Sequence, residues 1–264
     1  MKIARYEQGG VIHYGQVIDE GEALQRIDGT VLGAWHLTGD KVALPNVRLL
    51  TPVAPPNIIA IGLNYKLHAA ESNSPLPDHP VVFVKLTTAL CDPGMPILLP
   101  VSAPNEVDYE CELAIVIGRR ARRVSEVEAL DFVLGYTCAN DVSARDCQGR
   151  LDKQWARGKS FDTFCPLGPW IETEMDPDNA GLRTRLNGQV MQDSNTNDMI
   201  FGCRELISYL SYQFTLLPGT VILTGTPSGV GFARKPPVWL KHGDVVEIEI
   251  DGIGVLRNPV VADR

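Results

Sequence analysis

The stretch Asp108-Tyr109-Glu110-Cys111-Glu112-Leu113-Ala114-Ile115-Val116-Ile117 places two acids within an otherwise apolar run. Side chains alternate along a strand. Glu110 and Glu112 therefore share a face with Ala114 and Val116, while Tyr109, Cys111, Leu113, Ile115 and Ile117 take the other. The Cα atoms of the two glutamates would lie roughly 7 Å apart, close enough for both carboxylates to reach one ion. Two carboxylates in such a strand repel, and burying either costs several kcal/mol unless it is compensated. A divalent cation would compensate, and an all-oxygen donor set selects magnesium, manganese or calcium over zinc or copper. Spacing alone leaves another reading, a wet strand end at which the pair binds nothing.

Working outward, the next apolar run, Phe132 to Asn140, reads as a strand that can pair with this one and ends at Asp141. Asp141 is then either a third ligand or the cap of a helix over Val142-Ser143-Ala144-Arg145, a position that suits Asp. Upstream, Thr51-Pro52-Val53-Ala54-Pro55-Pro56 interrupts regular structure, because each proline removes a donor and restricts its predecessor. This marks a boundary between residues 1–52, read as short antiparallel strands around a Gly9-Gly10 turn, and residues 53–264. In the second part, strands are predicted over 57–61, 81–85, 97–99, 182–186, 221–224 and 245–250. Helices are predicted from Gly62 through Glu71, over 125–129 and over 201–214. The proline-rich stretch Ser72 to Pro80 is expected to be a mobile loop. Short strands outnumber helices, which favours a strand-rich α+β chain with a mixed sheet or roll over a doubly wound sheet.

The composition sets limits on function. The chain of 264 residues is 44% hydrophobic and 21% charged, ordinary globular usage that excludes disorder. A net charge of −8 argues against a nucleic-acid partner, which needs a basic surface. The densest basic run, Arg119, Arg120, Arg122 and Arg123, follows a strand and reads as a solvated turn. No apolar run approaches the ~18 residues of a membrane span, and the opening MKIARYEQGG lacks a signal-peptide core. The six cysteines show neither CxxC pairs nor zinc-finger spacing, so a reducing cytoplasm is the expected compartment. The segment Gly225-Thr226-Pro227-Ser228-Gly229-Val230-Gly231 lacks the Gly-Lys-Ser/Thr ending of a phosphate loop, and dinucleotide, GxSxG and HExxH signatures are absent.

Other residues allow two readings each. His68 and Glu71 are three apart, within contact on one helical face, as a surface pair would also be. Lys159 reads as a surface lysine and Gln148 as a solvent-facing one. Gly225 and Gly229 read as turn residues with permissive backbones.

Taken together, the motifs resemble the fumarylacetoacetate hydrolase family. The resemblance rests on Gly62-Leu63-Asn64-Tyr65 with His68 and Glu71, Val82-Phe83-Val84-Lys85, and Glu110-Cys111-Glu112-Leu113. It continues in Asn140-Asp141-Val142-Ser143-Ala144-Arg145-Asp146 with Gln148, Gly158-Lys159-Ser160-Phe161-Asp162, and Leu223 to Gly231. It runs in order from about residue 55 to the C-terminus. It implies a mixed β-sandwich roll as the catalytic domain behind a small N-terminal β domain, assembled as a homodimer. Glu110, Glu112 and Asp141 would hold Mg²⁺ or Mn²⁺ for a small 2-oxo acid substrate. His68 and Glu71 would form a lid pair that activates water, and Lys159 and Gln148 would stabilise the oxyanion. Thr226 and Gly225, with Lys159, would bind the substrate carboxylate. Tyr65 and Arg145 are expected to be structural or peripheral. The expected reaction is hydrolysis of a C–C bond in an acylpyruvate to pyruvate and a carboxylic acid. Oxo-acid decarboxylation, isomerisation of a hydroxydienedioate and hydration of an oxoenoate are the alternatives, all passing through a metal-stabilised enolate.

Overall fold

A computed structural model describes residues 1–263. Its largest sheet runs, in order, through Trp35–Ala43, Ala23–Gly29, Val11–Ile18, Lys2–Gln8, Cys165–Glu172, Val133–Asn140, Cys111–Ile117, Val221–Leu223, Ile58–Gly62 and Val81–Lys85. Most pairs are antiparallel, but Val221–Leu223 runs parallel to Ile58–Gly62, so the sheet is mixed. A second sheet of five strands contains Gln189–Asn195, Gly181–Leu186, Val245–Ile250, Gly254–Ala262 and Ile97–Leu99. One continuous apolar cluster joins the two, with Leu113, Ile115 and Leu167 from the first and Leu182, Ile248 and Leu256 from the second. The strand-rich α+β expectation is met.

The decisive strand is central. Every residue of Cys111–Ile117 is buried, and its antiparallel partner Val133–Asn140 sets Cys111 opposite Asn140 and Glu112 opposite Ala139. Burial on both faces explains why the run carries no polar alternation beyond its acids. Residues 1–52 form antiparallel strands with two small clusters of their own, one on Ile3, Ile27 and Val31 and the other on Ala4, Tyr6 and Leu24. They join the large sheet where Ile3 pairs with Ile171.

Several elements depart from expectation, among them unpredicted strands at Gln189–Asn195 and Gly254–Ala262. The Ile58–Gly62 strand runs on to Gly62, so the helix begins only at Lys66. Leu63 has a left-handed backbone (φ 50°), and the Asn64 side chain is engaged by the Phe201 backbone and the Thr224 carbonyl, which fixes a turn there. Instead of a helix over 125–129, a turn leads into a 3₁₀ helix at Ala129–Phe132. Strand Cys165–Glu172 was not expected, because Pro166 and Pro169 argue against a central strand. A register irregularity opposite Tyr136 and Cys138 accommodates it. The long helix forms at Cys203–Gln213 with Leu206, Ile207 and Leu210 turned inward. No helix among the described residues is long and apolar enough to cross a membrane.

Candidate active site and metal centre

The two acid-bearing segments meet through their backbones. The Asp141 amide donates to the Glu110 carbonyl at 2.9 Å, and the Glu110 amide donates to Asn140 Oδ1 at 2.9 Å. This ladder brings carboxylate oxygens of Glu110, Glu112 and Asp141 within 4.8 Å of one another, all three buried. Three basic side chains converge on them. Lys159 Nζ lies 2.6 Å from both Glu110 Oε2 and Asp141 Oδ2. Lys85 Nζ, also buried, pairs with Asp141 Oδ1 and donates to the Val142 carbonyl at 3.3 Å. Arg145 Nη2 sits 2.7 Å from Glu110 Oε1 and 2.8 Å from Asp108 Oδ2.

The charges do not balance evenly. Burial would raise Glu110, but Lys159 and Arg145 outweigh it and hold the carboxyl at about 2. Burial would lower Lys159, but Asp141 and Glu110 raise it above the ordinary lysine value. Glu112 has no such partner: among the described residues no ion pair includes it, and its carboxylate's one hydrogen bond is from the Gly225 amide at 2.7 Å. Burial, reinforced by Asp141 and Glu110, pushes it well above the usual carboxylate range. A buried carboxylate under-compensated beside two others, all with hard oxygen donors, fits a divalent cation such as Mg²⁺ or Mn²⁺. Glu110, Glu112 and Asp141 would hold it.

The triad lies in a cavity of about 350 Å³ that is also lined by His68, Gln148, Lys159 and Thr226, with Phe83, Arg145, Trp155 and Phe232 among its walls. Of the residues named from sequence, Glu71 stands behind this wall. Its Oε1 lies 2.7 Å from His68 Nδ1, and its Oε2 accepts from the Gly229 amide at 2.9 Å. Glu71 therefore occupies Nδ1 and leaves Nε2 as the imidazole's reactive nitrogen. The six-residue helix that carries the pair is tied at its start by Asp198 Oδ2, which accepts from the Leu67 amide at 3.0 Å.

Gly225 departs from its expected place. Its φ of 96° needs glycine, as does the approach of Asn64, whose Cβ would come within 2.7 Å of an added Cβ. Its amide, however, donates to Glu112 and is not free for substrate. Gln148 is half-buried and accepts from Arg145 Nη1 at 2.9 Å.

Arg145 is not peripheral. It is stacked over Phe232 at 4.5 Å and binds Asp108, which is fully buried and also accepts from the Gly231 and Phe232 amides at 2.8 and 3.1 Å. Burial raises Asp108 above the usual carboxylate range despite the opposing Arg145 charge. Replacing Arg145 with Leu strands that carboxylate, and we expect a loss of about 3–5 kcal/mol in urea unfolding. A Leu variant with unchanged stability would show that Asp108 does not depend on the guanidinium. Lys85, too, was read only as part of a strand. Both basic residues could be suspected only from their place beside apolar runs, since their partners lie far away in sequence.

A family model described as the C-terminal part of fumarylacetoacetate (FAA) hydrolase matches residues 57–261, and one described as "Rv2993c-like, N-terminal" matches residues 1–52. The chain is 51% identical over 252 residues to "Oxaloacetate tautomerase fahd2, mitochondrial" of Xenopus laevis, covering 93% of this chain and 77% of that protein. Among solved structures, 5-carboxymethyl-2-hydroxymuconate delta-isomerase from Mycobacterium smegmatis superposes with a TM-score of 0.90 at 44% identity, over the full length of both chains. The 2-hydroxyhepta-2,4-diene-1,7-dioate isomerase from Mycobacterium marinum gives 0.88 at 41% identity, over 100% of this chain and 99% of that one. With most of its length matched by the family model and half of its residues shared with a relative, the chain belongs to the fumarylacetoacetate hydrolase family of enzymes.

Proposed function

We propose that this enzyme interconverts keto and enol tautomers, or double-bond isomers, of a small 2-oxo dicarboxylic acid in a divalent-metal-dependent reaction. The observation that carries this reading is the Glu71-anchored His68 on the wall of the cavity that is also lined by the acid triad, Lys159 and Arg145. Relatives bearing tautomerase and isomerase names support it.

Glu110, Glu112 and Asp141 would hold a divalent cation, which would supply Lewis acidity toward a 2-oxo group. Lys159 and Arg145 bring fixed positive charge to a dianionic substrate in a cavity walled in part by Phe83, Trp155 and Phe232, where such charge acts more strongly than in open water. His68 Nε2 takes a proton from the carbon beside the carbonyl and returns it to oxygen, or runs in reverse. Glu71 stabilises the imidazolium that carries this proton. No bond to carbon other than C–H is broken, so one base suffices. Phe232, edge-on to His68, and Trp155 help exclude water from the proton's path.

Hydrolysis of an acylpyruvate is the second reading, because the same His68–Glu71 pair could deprotonate water instead of carbon. The two readings separate by product. With Mn²⁺ present, the enzyme is expected to accelerate conversion of enol-oxaloacetate to the keto form, followed by ultraviolet absorbance, without releasing pyruvate. Stoichiometric pyruvate from acetylpyruvate or fumarylpyruvate, with no tautomerase activity, would reverse the order of the two readings.

A further inference from the structure

Gln192, in the Gln189–Asn195 strand, is buried and lies outside the cavity's lining. Its amide makes four hydrogen bonds. Oε1 accepts from the Cys111 amide at 2.9 Å and from Thr184 Oγ1 at 2.7 Å. Nε2 donates to the Pro227 carbonyl at 2.9 Å and to Thr226 Oγ1 at 2.8 Å. Two of these partners are backbone groups that can play only one role: the Cys111 N–H must donate and the Pro227 C=O must accept. They fix which end of the amide is oxygen and which is nitrogen, independently of any side-chain rotor.

This orientation determines what Thr226 can do. Its hydroxyl oxygen receives a proton from Nε2, so its own O–H cannot point back at Gln192. Among the described residues no protein acceptor is hydrogen-bonded to that O–H, and Thr226 lines the cavity. The proton is therefore available to an anion in the cavity. We propose that Gln192 is a positioning residue that commits the Thr226 hydroxyl to donate to a substrate carboxylate oxygen. Because Cys111 stands between Glu110 and Glu112, the same amide also ties the anion-facing turn to the acid strand. The proposal rests on reading the cavity as a 2-oxo acid site.

The test is a double-mutant cycle on the full-length, Mn²⁺-loaded protein, read by calorimetric titration with oxalate. Oxalate is a planar dianion with the carboxylate and adjacent oxygen of a 2-oxo acid. Thr226→Val removes the donor and is expected to weaken oxalate about tenfold, whereas Thr226→Ser retains wild-type binding. Gln192→Met keeps the volume but frees the Pro227 carbonyl to compete for the Thr226 proton, and is expected to weaken oxalate about fivefold or more. In the Thr226→Val background the Gln192 substitution should cause almost no further loss, since no hydroxyl remains to be misdirected. A general disturbance of the fold or of the acid strand would persist in that background. Losses that multiply, or a Thr226→Val variant that binds oxalate normally, overturn the proposal. If Gln192→Met does not fold, Gln192→Glu serves in its place, since it preserves the acceptor for Cys111. Wild-type protein that takes up Mn²⁺ but no oxalate overturns the functional reading, and the proposal with it.

Discussion

Glu112→Gln is expected to lower Mn²⁺ affinity at least about a hundredfold and activity in proportion, while making the metal-free protein more stable. The first effect follows from ligand loss: disturbing only the outer partners of a metal ligand costs roughly 10–100-fold, and removing a charged ligand costs more. The second follows from the position of Glu112. It is buried beside Asp141 and Glu110 without a paired cation, and its ionised form is disfavoured in the folded state. A carboxyl raised on folding contributes stability that is full below the unfolded value and declines as pH rises towards the folded one. At neutral pH, above the ordinary carboxylate value, this contribution of the metal-free wild type is in decline, and glutamine removes the cost of burying the charge. Thermal unfolding with and without Mn²⁺ checks both effects. Wild type should gain stability from the ion and the variant should not, and a metal-free variant less stable than wild type would contradict the charge argument. Glu110→Gln should behave differently, because Glu110 is paired with Lys159 and Arg145 and its loss leaves each of these cations with one carboxylate partner in place of two.

His68→Ala should reduce kcat for tautomerisation by about 10²–10⁴-fold, the usual worth of a positioned general base, while changing Mn²⁺ affinity only slightly. His68 contacts Glu71 and the Phe232 ring edge, and neither is a member of the acid triad. Loss of kcat with intact metal binding assigns His68 to proton transfer. A parallel collapse of metal binding would instead show that the helix and the triad fold as one unit. Glu71→Gln should give a comparable loss, since the Gly229 N–H holds the amide oxygen and turns its NH₂ toward Nδ1, which places the imidazole proton on Nε2 and removes the base.

The acid strand was legible because two local rules agree there: alternation gives Glu110 and Glu112 one face, and the surrounding apolar run gives that face no water. The partner strand was legible for a similar reason, since an apolar run ending in Asp is bounded by its own composition, whereas Asp141 itself stayed between ligand and helix cap and joined the glutamates only through the resemblance. What escaped depends on distance. Lys85 meets Asp141 across 56 residues, and no spacing rule links a lysine at the end of Val82-Phe83-Val84 to an acid on another strand. Arg145 was left between a structural and a peripheral place because arginines are usually exposed, and only Asp108, Glu110 and Phe232 together make a seat for it. Gln192 lies in the polar run Gln192-Asp193-Ser194-Asn195, where composition hides the fact that one of four polar residues turns fully inward.

The candidate ion ligands belong to neighbouring central strands, whereas His68 rides on a six-residue helix with few ties. In hydrogen-exchange terms, the amides of Cys111–Ile117 should open only when the whole molecule unfolds, and those of Lys66–Glu71 far sooner. On this expectation the Lys66–Glu71 helix opens and closes many times over while the seat for the ion stays closed to solvent exchange.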